Sequence, residues 1–120
     1  MLVTVLEAQV PAGREDDLLA AFVAAGETPL PAGLVRSALL HDVRDPVRWR
    51  IETVWASRAA LDAMRSAGTP AGVLMFRAAG AEPELSVFEV ANTIPPSNWM
   101  ARNRRSPMRP PARSFADLIR

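Results

Sequence analysis

The stretch Arg48–Met64, RWRIETVWASRAALDAM, constrains the fold most. Trp49, Ile51, Thr53 and Trp55 alternate onto one face of an extended segment, and Arg50, Glu52 and Val54 take the other. Two residues after the last tryptophan, Ser57 stands where a helix N-cap belongs, and Leu61 and Met64 begin a helical stripe. A second unit of the same kind opens the chain. Leu2–Val10 reads as a strand, Pro11-Ala12-Gly13 as a turn, and Arg14 to about Ala25 as a helix with Glu15, Asp16 and Asp17 in its first turn. Leu18, Leu19, Phe22 and Val23 lie at helical spacing, and Gly26 is the expected C-cap. Two strand-to-helix units in a short chain require one shared sheet, which is an α+β fold.

The remaining elements complete that sheet. Leu34–His41 is a second strand, and Asp42–Pro46 a hairpin turn into the third strand, Arg48–Trp55. A helix over Arg58–Ala67 stops at Gly68. Thr69 is the expected cap of a short helix with Pro70 at its first position. Leu85–Ile94 is the fourth strand, terminated by Pro95-Pro96. The order β-α-β-β-α-β is the ferredoxin-like arrangement, an antiparallel four-stranded sheet with helices on one face. The strands carry apolar residues on both parities, so the helix-free face is expected to pair with a second copy in a homodimer.

Residues 1–94 form one domain on this reading, and 95–120 a Pro/Arg-rich C-terminal arm. The arm is expected to run extended, then form a short helix, and to dock on the body or on a partner subunit. Charge divides the same way. Residues 1–94 hold eight arginines and twelve acids, whereas 95–120 hold six arginines and one acid. The body is therefore not a nucleic-acid-binding surface. The chain has no cysteine, tyrosine or lysine, which excludes disulfides, thiolate metal sites, phenol acids and Schiff-base chemistry. One histidine, His41, makes no transition-metal site. The start MLVTVLEAQV lacks a basic n-region and reaches Arg14 quickly, so neither a signal peptide nor a membrane span is expected. The expected location is cytoplasmic.

The opening VTVLEAQVPAGREDDLLAAF, the unit IETVWASRAALDAM and the closing strand SVFEVANTI, in this order and spacing, resemble the antibiotic biosynthesis monooxygenase superfamily. The resemblance covers residues 2–94. It implies a dimeric α+β barrel. It also implies oxidation of an electron-rich polycyclic phenol, anthrone or hydroquinone of aromatic polyketide biosynthesis by dioxygen, without metal or flavin. Similar small oxygenases of angucycline pathways open an aromatic ring and have been linked to reduced flavin, so that cofactor stays open. Other relatives degrade haem, isomerise small metabolites or have no known catalytic role.

Dioxygen is a triplet and attacks closed-shell molecules slowly, whereas a phenolate or enolate can pass it one electron first. A protein promoting this needs a dry aromatic pocket, a group favouring the deprotonated substrate and a polar contact for the developing peroxide. Trp55 and Trp49 are the expected stacking surfaces, and His41 is the natural proton acceptor. Asn92 is the expected contact for a quinone or peroxide oxygen, and Arg50 a charge that lowers a phenol's pKa. Glu52 and Arg50 share one side of their strand, with Glu7 as partner or as a base of raised pKa. Trp99 opens the arm and is placed to cap a pocket. His41, Trp55 and Asn92 are thus the catalytic candidates, and Trp49, Arg50, Glu52, Glu7 and Trp99 the binding candidates. Two alternatives share this pocket: a non-catalytic auxiliary dimer that holds a hydrophobic ligand, and a cofactor-free isomerase or cyclase. A haem-degrading role needs a proximal ligand, and the sole candidate, His41, lies on a strand or turn rather than a helix.

Overall fold

The computed structural model describes residues 1–96. Seven elements follow one another: β1 (Leu2–Gln9), α1 (Glu15–Gly26), β2 (Leu34–His41), β3 (Arg48–Trp55), α2 (Arg58–Ser66), α3 (Ala71–Ala78) and β4 (Glu84–Glu89). The four strands form one antiparallel sheet in the order β2-β3-β1-β4. This is the ferredoxin-like arrangement, and residues Met1–Val90 make one compact unit.

Alternation along β1 and β3 decides which face the helices cover. Leu2, Thr4, Leu6 and Ala8 are buried on β1, as are Trp49, Ile51 and Trp55 on β3. Each pairs across the ladder with a residue of the same face, for example Leu6 with Ile51 and Leu2 with Trp55. The core forms two separate clusters. One gathers Leu6, Trp49 and Ile51 with Leu18 of α1 and Phe76 of α3. The other holds Leu2, Trp55 and Leu61 of α2.

Local chemistry sets the helix ends. Ser57 is extended and its side chain accepts the Ala60 N–H at 3.1 Å, the cap its position predicts. Arg14 precedes α1, pairs with Asp17, and donates from Nη2 to the Ala78 carbonyl at the end of α3, 2.7 Å away. One guanidinium thereby serves the acidic first turn of α1 and the carbonyl end of α3. Gly33 has φ of +83° and packs directly on Ala60 of α2. Its carbonyl accepts the Ala56 N–H at 2.8 Å, fastening the start of β2 beside the β3–α2 turn.

Three sequence expectations are corrected. The fourth strand ends at Glu89, not Ile94. Its partner β1 begins at Leu2, the residue opposite Glu89, so no ladder exists beyond the Val90 N–H to Met1 carbonyl bond. Pro70, not Thr69, occupies the cap position of α3, and its carbonyl accepts from Val73 and Leu74. Gly26 is the last residue of α1, with Glu27 as its C-cap. The arm expected after residue 94, with Trp99, lies outside the described residues from 97 onward.

Candidate functional site

Between the two core clusters the sheet carries a polar row. Thr4 of β1 is paired with Thr53 of β3, and Thr53 with Ser37 of β2. All three share the face that bears the helices. The row is flanked by Leu6–Ile51–Leu39 on one side and by Leu2–Trp55–Leu34 on the other. The side chains of this row are too short and too polar to join the clusters. Above it, between the sheet and residues of α1, α2 and α3, lies a cavity of about 840 Å³. That size suits a small-molecule site.

Thr4, Thr53, Ser37, Leu6, Ile51 and Trp55 line the floor. Phe22, Ala25 and the Thr28–Ala32 loop line one wall, and Ala60, Met64, Gly72 and Met75 the other. Trp55 is buried and donates from Nε1 to Thr4 Oγ1 at 3.1 Å. Ser37 and Thr53 hydroxyls lie 2.9 Å apart in a second hydrogen bond. Gly72 lets α3 approach the sheet, since a Cβ there would stand 2.6 Å from Leu6 Cδ1. The edge strand β2 breaks register between Leu34 and Arg36, a bulge beside the cavity. Arg36, at that bulge, is the one charged residue among the described residues of the lining. It makes no ion pair among the described residues.

The structure sorts the candidates. Trp55 is on the cavity floor. Trp49 and His41 are not in the lining. They stack on one another at 3.9 Å between ring centroids, at the far end of the β2–β3 pair. His41 Nε2 is 2.8 Å from the Pro46 carbonyl oxygen, which holds the ring to its own hairpin. Asn92 does not stand on a strand. It follows the end of β4, and its side chain accepts the Thr93 N–H.

Glu7, Arg50 and Glu52 occupy the opposite face of the sheet. Arg50 Nη2 lies 2.7 Å from Glu7 Oε1 and its Nη1 3.2 Å from Glu52 Oε2, while Arg48 Nε meets Glu7 Oε2 at 2.9 Å. Hydrogen bonds from Arg48 and then Arg50 hold the Glu7 carboxyl below its ordinary range, the reverse of a base with a raised pKa. Parity accounts for the separation. Arg50 and Glu52 alternate with the cavity-facing Ile51 and Thr53, so the sheet stands between them and the cavity. The residues the sequence reading passed over are Thr4, Ser37, Thr53 and Arg36. The available signal was a hydroxyl within each apolar-facing strand pattern, and only the register shows that they align.

Among the described residues, no group of His, Cys, Asp and Glu could hold a metal ion, and no helix is long and apolar enough to cross a membrane. Structures with the same fold are known. SnoaB, a cofactor-independent oxygenase from Streptomyces nogalater, in one variant form matches with a TM-score of 0.61 at 20% identity, over 78% of this chain and 96% of its own. A monooxygenase-family protein from Deinococcus radiodurans gives 0.61 at 15% identity, over 78% and 95%. One from Nitrosomonas europaea gives 0.60 at 17% identity, over 76% and 99%. No functionally curated protein matches the chain in sequence. The pattern of the antibiotic biosynthesis monooxygenase family matches residues 1–69, which take in β1 through α2 and both tryptophans of β3, and the chain belongs to that family.

Proposed function

We propose that the protein is a small oxygenase of aromatic polyketide biosynthesis that oxidises an electron-rich polycyclic phenol, anthrone or hydroquinone with dioxygen and needs no cofactor. The observation that carries this reading is the cavity itself. It is walled by Trp55, Phe22, Met64 and Met75, which suit a flat aromatic ring, and its floor offers hydroxyls to ring oxygens. For an anthrone the balanced reaction is one methylene oxidised to a ketone by one dioxygen, with the second oxygen atom leaving as water. The substrate anion supplies the first electron, and the apolar walls keep water from the radical pair.

The lining contains no carboxylate and no histidine among the described residues. That specific feature favours a substrate that ionises by its own acidity. It equally favours the second reading, a non-catalytic dimer that holds an aromatic ligand.

The dimer itself is part of the proposal. On the helix-free face Val3, Val5 and Val54 are half-buried, and Leu40 and Phe88 are exposed. A second copy laid on this face would cover them.

The test is oxygen uptake with product mass determination on a panel of anthrones and angucycline hydroquinones, with and without reduced flavin. Uptake with protein alone and a product of the expected added oxygen supports the cofactor-free oxygenase. Turnover only with reduced flavin overturns the cofactor-free assignment. Binding without turnover favours the auxiliary dimer.

A further inference from the structure

We propose that Met64 and Met75 form an oxidisable pair in the cavity wall, a site where an apolar hydroperoxide delivers oxygen to sulfur and thereby closes the cavity to apolar ligands. The cavity alone carries the site. The proposal rests on the oxygenase reading only for the natural source of the peroxide, because dioxygen added to a substrate carbanion passes, on protonation, through a hydroperoxide.

The make-up of that wall leads to this. From α2 and α3 the lining draws Ala60, Ala63, Met64, Ala71, Gly72 and Met75. The alanines and the glycine end at Cβ or before it, so the methionines are the only long side chains these helices bring to the cavity. Helical spacing puts them there. Met64 shares a face with Ala60 and the buried Leu61, and Met75 shares one with Gly72, which stands against Leu6 and Ile51. Both methionines are half-buried. Met64 packs on the Leu2–Trp55–Leu61 cluster and Met75 on the cluster of Leu6, Trp49 and Ile51. One thioether therefore stands between each core cluster and the cavity.

The chemistry follows from the side chains. The chain has no cysteine, so thioethers are its only sulfur. Sulfur attacks the distal oxygen of the hydroperoxide, the O–O bond breaks and an S–O bond forms. The departing alkoxide takes the hydroperoxide proton and leaves as an alcohol. Sulfur loses two electrons and the peroxide gains them. The sulfoxide is polar where the thioether was apolar. Its alanine and glycine neighbours offer it no side-chain donor, so it opposes the entry of hydrocarbon. Methionine sulfoxide reductases restore the thioether, which makes the change reversible.

The experiment treats the full chain with limiting cumene hydroperoxide or hydrogen peroxide and maps oxidation at all five methionines by peptide mass spectrometry. The quantity read is oxidation at Met64 and Met75 relative to Met1, Met100 and Met108. Cumene hydroperoxide is expected to raise this ratio about tenfold over hydrogen peroxide, the partition gain of a phenyl-sized apolar group. Excess 2-methylnaphthalene is expected to remove the rise. Treated protein should bind 2-methylnaphthalene about tenfold more weakly, as an unpaired polar group in an apolar wall requires. Met64→Leu/Met75→Leu, a volume-conserving change, should bind it equally before and after treatment. Equal ratios for the two peroxides, or a rise that 2-methylnaphthalene leaves unchanged, would overturn the pair. A loss of binding on treatment of the double variant as large as that of wild type would overturn the pair as the cause of closure. None of these results touches the oxygenase reading, which stands or falls on oxygen uptake.

Discussion

The His41 imidazole lies flat on the Trp49 indole, 3.9 Å between centroids and 6° between planes. Stacked rings contribute about 0.5–1.5 kcal/mol beyond area burial. His41→Ala is therefore expected to lower unfolding stability by about that amount. It should leave ligand binding in the cavity at wild-type strength, because neither ring is in the lining. Chemical denaturation beside a binding titration checks both halves. Loss of binding in a normally folded variant would return His41 to the site.

Thr4 and Trp55 give an asymmetric pair. Thr4→Val leaves the buried indole N–H without an acceptor, which costs about 1–3 kcal/mol. In a Trp55→Phe background no N–H remains, and the same Thr4→Val change should cost far less. Urea midpoints for the four members of this cycle measure the coupling. Equal costs in both backgrounds would mean the hydrogen bond contributes nothing.

Gly33 joins two constraints in one residue. An L side chain at φ +83° costs about 1–2 kcal/mol, and a Cβ there would collide with Ala60 Cβ. Gly33→Ala should destabilise the fold by about 2–4 kcal/mol, since overpacking adds to the backbone cost. With Ala60→Gly also present, the effect of Gly33→Ala should fall to the backbone part alone. Thermal melts of the single and double variants separate the two.

Glu7 makes acid stability depend on the ion pairs of the open face. Its carboxyl sits below the ordinary value near 4.5, chiefly through the hydrogen bonds from Arg48 and Arg50. A carboxylate with a lowered folded pKa contributes its full stability above the unfolded value and loses it as pH falls through the folded one. The melting temperature should therefore drop from about pH 5 to about pH 3, and Glu7→Gln should make that drop shallower. Some slope will persist, because Asp42 and Glu82 are lowered too, Asp42 by the Arg44 and Asp45 amides and Glu82 by Arg77. Exposure and salt screening keep the effect modest, so the scan belongs at low ionic strength. A curve for Glu7→Gln parallel to wild type would remove Glu7 from the account.

The amino-acid sequence by itself determined the element order, the two strand-to-helix units and the Ser57 cap, and which residues of β3 share a face but not which face turns inward. These depend on residues near one another in the chain, through alternation, capping and proline placement. The tertiary structure alone decided which hydroxyls meet. Thr4 and Thr53 are far apart in sequence, and only the β1–β3 register sets them side by side. The same register put Trp55 on the cavity floor, locked Arg50 and Glu52 with Glu7 on the other face, and left β4 no partner beyond Glu89. A strand's period of two states which residues share a face. Where that face meets its neighbours is fixed by long-range pairing, which here places a hydroxyl row between two apolar ones on the cavity floor.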